Sequence, residues 1–120
     1  ETVEEARAAF LVFWSEEGAR HFAVEETVLL PAFAVYGDPY EPLVARVLCD
    51  HVAIRRDVVA LAQDAPLRVT ALRDLGGRLT AHVRREEREL FPLIERTLPP
   101  DRLAALGQAL QEAERRPDDG

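Results

Sequence analysis

Apolar side chains recur along this chain at steps of three and four, and no stretch alternates apolar with polar residues as a half-buried strand does. Val3, Ala6, Phe10, Phe13 and Trp14 mark one helical stripe, which continues through Val24, Val28 and Leu29 to Phe33. The pattern predicts a first helix over about 2–35, stopping near Gly37. Gly18 inside it costs roughly 1 kcal/mol against Ala, which a long helix tolerates. Asp38-Pro39-Tyr40-Glu41 reads as the next helix start, with Asp38 as N-cap, Pro39 in the first helical position and Glu41 in the third. Leu43, Val47, Leu48, Ile54, Val58 and Leu61 carry that second helix to about Asp64. Pro66 disfavours helix at Ala65 and restarts the chain. A third helix is predicted over about 67–98 through Leu72, Leu75, Leu79, Leu90 and Leu93, with Gly76-Gly77 as its weak point and a candidate kink. Pro99-Pro100-Asp101 ends it and opens a short fourth segment, about 101–115.

Short loops between long helices make sequential helices antiparallel neighbours. The fold class is therefore all-α, an up-down helical bundle with three long helices and a short C-terminal helix. The helical domain takes in residues 1–116, and the remaining 117–120 read as a disordered tail. Three long helices leave an apolar seam that the terminal helix is too short to cover. A second copy of the chain or an additional helix is the expected cover.

Composition narrows the partners. At 120 residues the chain is one domain, and an apolar fraction of 48% is enough for a core. A formal charge of −7 argues against nucleic acid or an anionic membrane as main partner. The apolar runs fall far short of a membrane span. No charged-then-apolar leader opens the chain. The single Cys49 cannot pair internally, so a reducing, cytoplasmic setting is the simpler expectation. Starting on Glu-Thr-Val rather than Met, the chain reads as missing its natural beginning.

The chemistry lies in a repeat. Residues 21–31 are HFAVEETVLLP and residues 82–92 are HVRREERELFP, an offset of 61 residues. Both copies carry His first, Glu fifth and sixth, an apolar pair ninth and tenth, and Pro last. On a helix, positions i and i+4 share a face, so His21 and Glu25 point together, as do His82 and Glu86. Imidazole and carboxylate on adjacent turns suit a transition metal, and carboxylates can bridge two ions. With loop centres at 37 and 65, the three histidines His21, His51 and His82 sit at one level to within two or three residues, or about 3–4.5 Å of helix rise. They are the only histidines in the chain. The first and third helices run parallel and are expected as diagonal partners, with Glu25 and Glu86 meeting across the core and His51 entering from the side. The opposite position calls for one more histidine from a fourth long helix, and residues 101–115 contain none.

Other residues have less specific readings. Pro31 and Pro92 either kink their helices just beyond the site or sit in the final helical turns. Glu26 and Glu87 lie about 100° off the metal face, one residue step round the helix, and read as solvated or as supports for the ligands. Glu17 and Glu89 share the ligand faces, but neither is matched in the other copy. Arg55 occupies the i+4 place after His51 and is exposed or salt-bridged near the site. Trp14 and Leu79 are core residues or pocket walls. Cys49 reads as a small packed residue, and Arg84, Arg85 and Arg88 as a solvated face.

The two H-x-x-x-E-E-x-x-x-[LF]-P copies and the intervening Asp50-His51 resemble the hemerythrin-like, or HHE cation-binding, family. The resemblance covers about residues 5–110. It implies a helical bundle holding a non-haem di-iron centre, with Glu25 and Glu86 bridging and His21, His51 and His82 as terminal ligands. It also implies a further long N-terminal helix bearing histidine, which is not found in residues 1–120. The function so implied is binding or sensing O₂ or a related small oxidant. Iron storage or handling, metal-dependent regulation, and a helical interaction module with a vestigial site are the alternatives. No nucleophile–base arrangement or phosphate-binding glycine loop stands out.

Overall fold

In a computed structural model, which describes residues 2–63 and 68–115, the chain forms four helices. Helix α1 covers 3–36, α2 covers Pro42–Ala62, α3 covers 69–97 and α4 covers Pro100–Glu114. No strand occurs among the described residues. The expected Ala65-Pro66 junction, the expected start of the third helix at Leu67 and the tail lie outside the described residues.

Two local expectations change. The second helix begins at Pro42, with Glu41 as its N-cap at φ −52° and ψ 126°, outside the helical region, and no side-chain cap bond. Proline disfavours helical backbone in the residue before it, so Pro42 and not Pro39 sets the start. Asp38 instead closes a turn, accepting a bond from the Tyr40 N–H at 2.9 Å. The α-helical bonding of α3 runs without a break through Gly76 and Gly77, both exposed.

The helices are interrupted elsewhere. Trp14–Gly18 and Glu25–Leu29 in α1, and Glu86–Leu90 in α3, are single π-helical turns. In the last two, the Leu30 N–H reaches the Glu25 carbonyl and the Phe91 N–H reaches that of Glu86. Pro31 and Pro92 follow at once. In a regular α-helix their rings would press on the carbonyls four residues back, at Thr27 and Arg88. The chain meets this by widening the turn before each proline. Both repeat copies do so at the same place, and inward positions beyond it recur at steps of four: Glu25, Leu29, Phe33 and Glu86, Leu90, Ile94.

Two apolar clusters fill the bundle. One gathers Leu29, Leu30, Phe33, Val44, Val47, Leu90, Ile94, Leu98 and Leu106 at the end where α1 turns into α2. The other gathers Phe22, Ile54, Val58, Leu61 and Leu75 toward the opposite end. Each such side chain taken fully from water contributes about 1.5–3 kcal/mol before entropy is counted. Along every long helix the boundary between clusters is polar: Glu25 in α1, His51 in α2, His82 and Glu86 in α3, all buried. Helix α4 docks on residues 19–29 of α1. Helices α1 and α3 are not only diagonal partners, since residues 30–36 and 91–97 pack directly on one another. The radius of gyration is 16.2 Å. A compact domain of this length would show about 14 Å, and the excess reflects an elongated shape of 49 × 37 × 20 Å. No helix among the described residues is long and apolar enough to cross a membrane.

Candidate metal centre

The polar layer is built by the two widened turns and by α2 between them. Glu25 and Glu86 each open a π turn, so the same backbone feature that accommodates a proline starts at the inward carboxylate. Glu25, His51, His82 and Glu86 each offer one ligand atom, and these four atoms all lie within 4.8 Å of one another. The Nε2 atom of His51 is 2.8 Å from Glu25 Oε1. His82 Nε2 is 3.7 Å from Glu25 Oε1 and 3.4 Å from Glu86 Oε1. Phe22 closes the layer on one side, its ring stacked 3.9 Å from that of His51 and edge-on to His82.

His21 stands apart. Its side chain is 51% exposed, against 1% for His51 and His82. The inward place one turn before Glu25 is shared with Phe22, which is buried. His21 nevertheless faces the layer from its rim, with Nε2 3.1 Å from Glu25 Oε2. Of the five residues anticipated, four from the repeat and His51 from its helix height, four form the cluster and His21 flanks it.

All three imidazoles are wired alike. His51 Nδ1 lies 2.6 Å from Glu26 Oε2, which accepts from Arg55 Nη1 at 2.6 Å. His82 Nδ1 lies 3.2 Å from Asp50 Oδ2, which accepts from Arg85 Nη1 at 2.5 Å. His21 Nδ1 lies 3.1 Å from Glu114 Oε1, and Arg20 Nε is 3.9 Å from the other oxygen of that carboxylate. In each case Nδ1 is turned to a carboxylate and Nε2 is left for the centre. A metal-ligating histidine is held this way, its second nitrogen donating to a carboxylate that fixes tautomer and ring plane. Asp50 and Glu114 are the residues that sequence reading missed. Asp50 serves the histidine of another helix rather than its neighbour His51, and Glu114 lies 93 residues from His21, so spacing on one helix reveals neither. Glu17, Glu87 and Glu89 are exposed and stand outside the cluster.

The electrostatics describe a layer short of positive charge at its centre. Burial pushes the Glu25 carboxyl up, but the facing imidazoles of His21, His51 and His82 outweigh it and hold the group below the usual carboxylate range. Burial and the adjacent Glu25 push Glu86 up to about 7, with His82 opposing. Burial works against a charged His82, yet the carboxylates of Glu25, Glu86 and Asp50 around it raise it to about 10. The bond to Glu25 raises His21 to about 9, against a smaller effect of burial. Glu26 is held low: burial is outweighed by Arg55 and His51.

The donor atoms fit a cation. Glu25 Oε2, His82 Nε2 and Glu86 Oε2 are buried without a hydrogen-bond partner among the described residues. Leaving such atoms unpaired costs several kcal/mol for a carboxylate, and an ion bound between them would remove that cost. Donors sharing an ion at about 2.1 Å lie about 3.0–3.4 Å apart, and the closest approaches here are 2.8, 3.4 and 3.7 Å. Two imidazoles with two carboxylates, and a third imidazole at the rim, suit a first-row transition metal. Residues 2–94 match the hemerythrin HHE cation binding domain. The chain belongs to that family. No curated protein and no solved structure matches it. The hemerythrin-family match ends before α4, so the helix that supplies Glu114 lies beyond the matched residues.

Proposed function

We propose that this hemerythrin-family chain holds a carboxylate-bridged di-iron centre and binds or senses O₂ or a related small oxidant. The single observation that carries the reading is the buried group Glu25, His51, His82 and Glu86, with four ligand atoms within 4.8 Å. Glu25 and Glu86 would bridge, and His51, His82 and His21 would cap the ions. Imidazole and carboxylate donors suit iron, and five ligands leave coordination positions open. An iron pair, when bound, supplies the redox chemistry. The chain supplies the rest. Phe22 and the apolar clusters exclude water, and Glu26, Asp50 and Glu114 orient the imidazoles. A cleft of about 480 Å³ reaches the layer at His21, His82 and Glu86, with Phe13, Trp14 and Leu79 in its wall. That cleft gives a small oxidant its way in. A cytoplasmic setting is part of the proposal, supported by the one free thiol, Cys49.

The test is metal content of protein purified without chelator, with absorption spectra before and after admitting air. Two irons per chain and new visible bands on aeration are expected. Reversible iron loading with no change in air would replace this reading by iron handling or metal-dependent regulation. A correctly folded chain that binds no metal would leave only a helical interaction module.

A further inference from the structure

We propose that Glu114, on the last turn of α4, positions His21 as a metal ligand, so that metal occupancy and docking of α4 are linked. This rests on the metal-binding reading of the centre. His51 and His82 are fixed by burial and by Phe22 as well as by their carboxylates. His21 is half exposed, and what orders its ring is the pair of contacts at its two nitrogens, Glu25 on one side and Glu114 on the other. Glu25 belongs to the centre itself. Glu114 is therefore the external contact that holds the imidazole with Nε2 facing inward.

The contact comes from a weakly held element. Along Pro100–Glu114 Leu106 alone is buried, with Leu103 and Leu110 partly so. A helix of fifteen residues is marginal in water by itself. Its attachment to α1 is thus open to adjustment by one charge-assisted bond. His21 and Glu114 also border two cavities at once, the cleft of about 480 Å³ on the α3 side and another of about 400 Å³ beneath α4. With α4 docked, the pair stands between them. With α4 released, His21 loses its Glu114 partner and the space beneath α4, which Glu25 lines, loses its α4 wall. Linkage is reciprocal: whatever factor docking adds to metal affinity, metal adds to docking.

The experiment uses the full chain, ferrous iron under anaerobic conditions, and the variants E114A and E114Q. Glu114 is more than a third exposed at its side chain, so both variants keep the fold, checked by circular dichroism. Removing a carboxylate behind a ligating histidine weakens metal binding by about 10–100-fold, and the lower end is expected for E114A. E114Q retains an acceptor for Nδ1 and recovers most of the affinity. Hydrogen exchange over 100–114 slows on iron loading in the unmodified chain and stays unchanged in E114A. Equal iron affinity in E114A and the unmodified chain overturns the proposal while leaving the metal centre standing. So does exchange in α4 that is indifferent to iron. An unmodified chain that takes up no iron overturns both.

Discussion

At the level of single residues, the centre repeats one arrangement, a carboxylate behind each imidazole, with an arginine hydrogen-bonded to that carboxylate at Glu26 and Asp50 and only near it at Glu114. Asp50 lies outside both repeat copies, yet it is the carboxylate that faces His82 Nδ1. Removing it in D50A leaves His82 Nδ1 and Arg85 without their shared acceptor. Metal affinity is expected to fall by about 10–100-fold, while E87A, at an exposed position, leaves it unchanged; a competitive chelator titration decides. Glu86 gives a second expectation of opposite sign for stability. Its proton affinity is raised by burial and by Glu25, which means its charged form opposes folding near neutral pH. E86Q should make the metal-free chain more stable at pH 8 by on the order of 1 kcal/mol, since a tenfold change in proton affinity is worth about 1.4 kcal/mol. It should weaken metal binding at the same time. A urea melt with chelator present that shows E86Q destabilised would contradict this. Glu25, His51, His82 and Glu86 were legible because i,i+4 spacing and common helix height depend on the chain alone. Asp50, Glu114 and the ring of Phe22 were not, because their partners sit on other helices, or in Phe22's case because the inward face has rotated.

That rotation belongs to the elements. Apolar periodicity located all four helices within a few residues, but it could not show π turns, whose i→i+5 bonds leave only a drift toward steps of four. The prolines were visible and their remedy was not. The turn at Trp14–Gly18 has no proline to explain it, and Gly18 has ordinary helical backbone angles. Its need is spatial: a Cβ there would come within 2.6 Å of the Trp14 ring. The indole lies against the glycine and forms part of the cleft wall. G18A is therefore expected to displace Trp14 and to cost about 1–3 kcal/mol, as overpacking does. Trp14 is the only tryptophan, so its fluorescence reports the displacement directly. Gly76 is the contrast, since a Cβ there meets nothing within 4 Å. G76A should stabilise by about 0.5–1 kcal/mol through helix propensity. Equal effects of the two substitutions in thermal melts would show that space beside Trp14 is not what Gly18 provides.

Across the whole molecule, the polar layer sets how stability depends on pH and on metal. Without metal, His21 and His82 bind protons more tightly folded than unfolded, at about 9 and about 10 against 6.5. Their contribution is complete below pH 6.5 and disappears as pH rises through those values. The His21 share is the smaller, because its side chain is half exposed and screened. Glu86, raised from 4.5 to about 7, has the same sign: its contribution is present below pH 4.5 and is lost as pH rises through 7. Glu25 and Glu26 are lowered, so theirs is present above pH 4.5 and lost in acid. The metal-free chain is thus most stable near pH 5 and weakens steadily toward pH 10. Metal reverses the slope. Its ligands must be deprotonated to bind, so loading releases protons and strengthens as pH rises. The gap in Tm between iron-loaded and chelator-treated protein should then widen from pH 5 to pH 8, because the same protons that stabilise one form exclude the other. Anaerobic thermal melts at several pH values measure that gap. Parallel curves would mean that the imidazoles and Glu86 do not exchange their protons for metal, and that the ion sits elsewhere.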